Sequence, residues 1–224
     1  MRLRWLPVLV SLMVLSAGAT SRATEDREIL QERLLRIIEE DAVVPEGNPE
    51  RWTETIGPDG RWTDINYRDA AATLWEPRDH WRRIRHLALL ERRRASEATT
   101  SGVKRLEVIR SAVRSWIEDT PQCSNAWYNA ISIPTEIAYT MIAVGDRLEP
   151  PIRKALLRLI NHPPGRFPVG VNDGDYRFDA GSRATGQNLA WLAWLHLLMG
   201  VIDHREDWIR SGTETLFSTL HQTT

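Results

Sequence analysis

Apolar residues recur at three- and four-residue spacing through nearly every long segment of this chain, and almost nothing alternates apolar with polar side chains as a half-buried strand would. "EDREILQERLLRIIEED" (25–41) puts Ile29, Leu30, Leu34, Ile37 and Ile38 on one helical stripe that ends before Pro45. "DHWRRIRHLALLERRRA" and "VKRLEVIRSAVRSWIED" repeat the pattern. Further helices are expected over 133–148, 150–161, 186–200 and 204–221, separated by Gly, Pro and Asp clusters. The sole candidate strand is a short one near "RFPVGV". The expected fold class is all-α.

Two connections are too long for an ordinary helical bundle. "PEGNPERWTETIGPDGRWTDINYRD" (45–69) and "NHPPGRFPVGVNDGDYRFDAGSRATG" (161–186) read as loops, whereas bundle helices are usually joined by about 2–8 residues. Long loops in a compact domain tend to carry function. Each follows a helix, so helical hairpins arranged in a ring would gather both on one face. No fixed-period repeat points to a solenoid.

The amino terminus carries Arg2 and Arg4 ahead of "WLPVLVSLMVLSAGA", with processing sites at "AGA" (17–19) and "SRA" (21–23). Residues 1–23 therefore read as a secretory signal peptide, shorter than a membrane span, which leaves 24–224 as one secreted or periplasmic domain with no membrane partner after cleavage. Composition fits such a globular domain: 224 residues, 42% hydrophobic, 26% charged. A formal net charge of −1 provides no field for a nucleic-acid backbone. The lone Cys123 excludes an internal disulfide and has no nearby partner for zinc or for thiol catalysis.

Ten tryptophans demand places. Trp81, Trp116 and Trp208 follow helical periodicity and are expected in the core. Trp52, Trp62, Trp75, Trp127, Trp191 and Trp194 fall in loops or near helix starts. Among them, Trp127 stands out in "NAWYN" (125–129), where Asn125, Trp127 and Tyr128 precede an apolar run. Flat indole faces stack on the apolar faces of sugar rings, so a groove lined with Trp and Asn suits a carbohydrate.

Three blocks, "DGRWTDINYRDAAATLWEPRDHWRRI" (59–84), "NAWYNAISIP" (125–134) and "ATGQNLAWLAWLHLLMGVI" (184–202), resemble in order and spacing the amino-terminal domain of polysaccharide lyase family 8, the hyaluronate, chondroitin AC and xanthan lyases. The resemblance covers nearly everything after the signal peptide. It implies an α/α toroid of antiparallel helical hairpins, incomplete here, an acidic polysaccharide as partner and no cofactor. It also implies β-elimination: the proton beside a uronate carboxylate is removed and the oxygen at C4 leaves. That proton is scarcely acidic, so the carboxylate must be neutralised while a base and an acid act.

By the resemblance, Asn188 in "TGQN" is the catalytic Asn that meets the uronate. The residues make sense of this: Thr185 is placed to cap the helix, Gly186 to admit a ligand, and Asn188 to face an anion from the first turn. Trp127 matches one of two adjacent stacking aromatics, and Asn125, Tyr128, Arg183 and Trp191 are expected to line the groove. Departures are Ala126, Ala130, Ser132 and Ser182, where the family has an aromatic, a Glu, a Gly and an aromatic. The family's His and Tyr, and then its β-sandwich domains, follow in segments beyond residue 224, so the chain as given is expected to be incomplete and inactive alone. His196 is about 12 Å along the helix from Asn188 and too far to replace the base. Two rivals stay open. One is a glycoside hydrolase using Asp173, Asp175 and Asp179, although "NDGDYRFD" also reads as a simple turn and lacks the spacing of a calcium loop. The other is a non-catalytic carbohydrate-binding remnant.

Overall fold

A computed structural model describes residues 20–40, 48–93, 100–161 and 184–221. The described part is built of helices: α1 (Thr20–Glu40), α2 (Pro49–Thr55), α3 (Arg78–Arg93), α4 (Thr100–Glu118), α5 (Ile133–Val144), α6 (Pro150–Asn161), α7 (Gly186–Ile202) and α8 (Glu206–His221). Among the described residues the only β pairing is one antiparallel bridge, Ile56 to Trp62. No helix there is long and apolar enough to cross a membrane. The "RFPVGV" segment lies outside the described residues.

Consecutive helices pair as hairpins. His80 reaches the Ala112 carbonyl and Glu91 pairs with Arg105, so α3 and α4 run antiparallel. In α7 and α8, a Cβ on Gly200 would meet Ile209 at 2.7 Å, and one on Gly212 would meet Leu197 and Ala193 at 2.8 and 2.9 Å. The two backbones therefore pass closer than side chains would allow. α3, α5 and α7 form a row, and their contacts climb together: Arg78 with Glu136, Arg85 with Tyr139, Trp127 with Trp191, Trp194 with Tyr139. These three helices are parallel, and their N-termini emerge at one end. α5 is buried along almost its whole length and α7 from Leu192 onward, which their nearly uninterrupted apolar sequences require. Helical hairpins packed side by side in this way are the α/α-toroid architecture.

Some expectations shift in detail. The 45–69 stretch is not all loop: Asn48 accepts a hydrogen bond from Glu50 N at 2.9 Å, Pro49 follows, and α2 forms. On α1, Ile29 is exposed while Leu35 is buried in its place. Trp52, Trp62 and Trp75 are core residues, not groove residues, and Trp208 is only half-buried.

His80 organises the Trp-rich region. It is wholly buried, stacked on Trp116 at 5.2 Å and edge-on to Trp62 at 5.1 Å. Nε2 lies 3.0 Å from the Ala112 carbonyl, a pure acceptor, so Nε2 carries the proton and Nδ1 accepts from the Tyr67 hydroxyl at 2.8 Å. Burial drives the His80 pKa from 6.5 down to about 3. Between those values the unfolded chain binds the extra proton, so this contribution is intact above about pH 6.5 and is lost toward pH 3 at about 1.4 kcal/mol per unit. Urea unfolding at pH 6.5 and 4.5 is expected to show that slope, reduced by this amount in His80→Gln.

Candidate functional site

The end where α3, α5 and α7 begin carries the "NAWYN" segment. Pro134 supplies no N–H, and the chain ahead of it widens into a π-turn, Tyr128–Ser132, with the Ile133 N–H bonding to the Tyr128 carbonyl. Asn129 fixes the segment from behind: its carboxamide pairs with both backbone groups of Cys123, at 3.0 and 2.8 Å. Cys123 is buried, its thiol donates to the Ala71 carbonyl at 3.3 Å, and burial raises its pKa, as suits a structural cysteine.

Asn125 is occupied in building the loop. Its Nδ2 donates to the Ala72 carbonyl at 3.1 Å and its Oδ1 accepts from Trp127 N at 3.0 Å. Tyr128 is buried, with its ring 5.7 Å from Trp75 and 5.3 Å from Trp127. Trp127 and Trp191 are both half-buried and meet edge to face at 5.5 Å. Asn188 precedes Trp191 by three residues, hence on the same face of α7. It is half-buried, and its side chain makes no hydrogen bond among the described residues. Arg183 lies outside the described residues, as do Asp173, Asp175 and Asp179.

Thr185 holds the N-cap position of α7 in extended conformation, but its hydroxyl makes no capping bond, contrary to expectation. Gly186 has φ +55°, and a Cβ there would meet nothing within 4 Å. Among the described residues nothing packs on the Cβ position of Gly186, at the first turn of the helix that carries Asn188 and Trp191. His196 is fully buried, 5.3 Å from Trp208, away from this first turn.

Sequence reasoning missed Arg78. Its guanidinium lies 5.6 Å over the Trp127 ring and 5.8 Å over Tyr128, with Nη2 3.8 Å from Glu136. It makes no side-chain hydrogen bond among the described residues, and its Nε is buried without a partner. Glu136 is already 2.9 Å from Arg85, so it is shared between the two arginines and lies nearer to Arg85 than to Arg78. Burial, then Arg82, lowers the Arg78 pKa, yet an arginine remains a cation. The sequence did hold a signal: a cation at the first residue of a helix opposes the helix dipole. No group of residues suited to a metal occurs among the described residues.

The edge-to-face indoles of Trp127 and Trp191, the guanidinium of Arg78 over Trp127, and Asn188 one turn from Trp191 thus lie together. The profile of polysaccharide lyase family 8, N terminal alpha-helical domain, matches residues 33–224. A curated relative, the chondroitinase-AC of Pedobacter heparinus, is 28% identical over 95 residues, 42% of this chain and 13% of that protein. A solved chondroitinase AC lyase superposes with a TM-score of 0.61 at 20% identity, covering 84% of this chain and 26% of its own. The Streptomyces coelicolor A3 chondroitin AC lyase gives 0.57 at 16% over 96% of this chain and 27% of its own, and Paenibacillus xanthan lyase 0.53 at 12% over 96% and 19%. The chain thus spans only a fraction of the length of these relatives. It belongs to polysaccharide lyase family 8 and carries that family's amino-terminal α-helical domain.

Proposed function

We propose that this domain is the substrate-holding part of a secreted lyase that cleaves uronate-bearing acidic polysaccharides by β-elimination. One observation carries the reading: Asn188, Trp191, Trp127 and Arg78 form a continuous face at the N-terminal ends of three parallel helices. The indoles stack on sugar rings, Arg78 draws in the polyanion, and Asn188 meets the uronate carboxylate. A hydrogen bond from Asn188 strengthens as charge moves from the breaking C–H bond into the carboxylate, which lowers the barrier to losing that proton. By the family resemblance, a His and a Tyr serve as base and acid. In this reading the described residues bind and position the substrate, and the segment 1–23 exports the protein. A family member, the Streptomyces coelicolor enzyme, has been solved in complex with chondroitin sulphate. An acidic glycan of that kind is the first substrate to try.

The test uses the full-length protein that carries this domain, incubated with chondroitin sulphate, hyaluronan and xanthan. Release of products whose conjugated double bond absorbs in the ultraviolet is expected. Saturated reducing ends instead would mean hydrolysis, and retarded migration in a glycan-containing gel without any product would leave only a binding role.

A further inference from the structure

Leu74 is 91% exposed, and its backbone sits at φ 54°, in the left-handed region that a leucine occupies only at a cost. The loop that imposes this is tightly fastened. Asp69 accepts from Ala71 N and Glu76 N, both at 2.9 Å, and Trp75 Nε1 donates to the Asp69 carbonyl at 3.0 Å. Asn125 holds the Ala72 carbonyl. An apolar side chain is thereby kept in water on a backbone that resists it.

Its neighbours fix its place. Ala72 is tied to Asn125, Trp75 packs on Tyr128, and Arg78, four residues on, lies over Trp127. The segment 72–78 therefore runs along the wall, with Leu74 as an exposed apolar knob at its rim. Flat sugar faces pair with flat indoles, whereas a branched aliphatic tip suits a small convex group. On an acidic polysaccharide the apolar group that projects from the ring is the methyl of an acyl substituent.

We propose that Leu74 is a specificity residue that packs on the acyl methyl of the sugar neighbouring the one stacked on Trp127. The proposal rests on the reading that this face holds an acidic polysaccharide. Burying one methyl corresponds to about a four-fold change in kcat/KM.

The experiment compares full-length wild-type protein with Leu74→Gly and Leu74→Asn on chondroitin and on the same polymer chemically de-N-acetylated. Both variants are expected to lose about three- to five-fold in kcat/KM on the acetylated polymer and to change little on the other, a difference in which the polymer's altered charge cancels. Both are also expected to melt at the same or a higher temperature, because each tolerates positive φ; a merely structural leucine would give the opposite. Mild base strips O-acetyl esters and spares amides, so an effect that survives it assigns the acetamido methyl and one that vanishes assigns an ester. Equal losses on both polymers, or none on either, would overturn the proposal while the lyase reading stands. A wild-type protein that neither cleaves nor binds these polymers would overturn both.

Discussion

Asn188→Ala is expected, on the proposed β-elimination, to lower the rate of unsaturated product release by about 10²- to 10³-fold, the scale on which one preorganised donor to a developing oxyanion counts. The loss should appear in kcat more than in KM. The carboxylate is already charged in the bound substrate, but it takes on further electron density only as the adjacent C–H bond breaks. Stability should hardly move. Asn188 is half-buried, its side chain makes no hydrogen bond among the described residues, and it sits in the first turn of a helix where alanine is the better helix former. Asn188→Asp tests the sign of the interaction: it keeps the shape but sets a carboxylate against a carboxylate, and should be at least as inactive. Initial rates from ultraviolet absorbance, with the melting temperature of each variant, decide the matter. A variant that keeps wild-type kcat would remove Asn188 from the chemistry.

Glu136→Ala is expected to cost about 3–5 kcal/mol, because it removes a buried counter-ion from Arg85 and the nearest carboxylate from Arg78. Glu136 and Arg85 each have side chains 5% exposed, and Oε2 lies 2.9 Å from Arg85 Nη1 without the alignment of a hydrogen bond, so charge alone holds the pair. Arg78 is also within 3.8 Å. For a domain of this size the loss corresponds to a fall in melting temperature of roughly 10 °C or more. The double variant Glu136→Leu with Arg85→Met should recover most of it, since a well-packed apolar pair avoids the desolvation that the ions incur. Thermal unfolding of the single and double variants measures this, and a double variant worse than Glu136→Ala would show that the pair does more than neutralise itself.

Helices were legible in the sequence wherever an amphipathic stripe ran for several turns, as along α3, α4 and α6. The short α2 was not, because its seven residues offer one buried side chain, Trp52, and its signal lies in the cap at Asn48 rather than in periodicity. The tryptophans illustrate a second limit. Trp62 and Trp127 both stand in polar loop sequence, yet one is wholly buried and the other half-exposed. The difference is tertiary: Trp62 is enclosed by α2 and by His80 on α3, with its Nε1 bonded to the Trp52 carbonyl at 2.9 Å, while Trp127 lies at the edge of the core against Tyr128, Trp191 and the Arg78 guanidinium. Asn125 misled for a related reason, since an amide at a helix mouth serves equally to bind a ligand or to bind its own loop, and here both ends reach backbone. Asn188 was assigned through the family resemblance, and that it shares a face of α7 with Trp191 follows from their spacing alone. Arg78 needed the fold, which brings residues 78 and 127 together.

The parallel row of α3, α5 and α7 also answers a question of evolutionary economy. A chain of formal net charge −1 has little bulk attraction for a polyanion. Each hairpin added to such a row contributes another helix start to the same rim, and with it a fixed fraction of positive charge that belongs to the backbone. That fraction survives any substitution that leaves the helix standing. A side chain along the rim can therefore change, as an alanine stands at 126 and a serine at 132, without removing that part of the field.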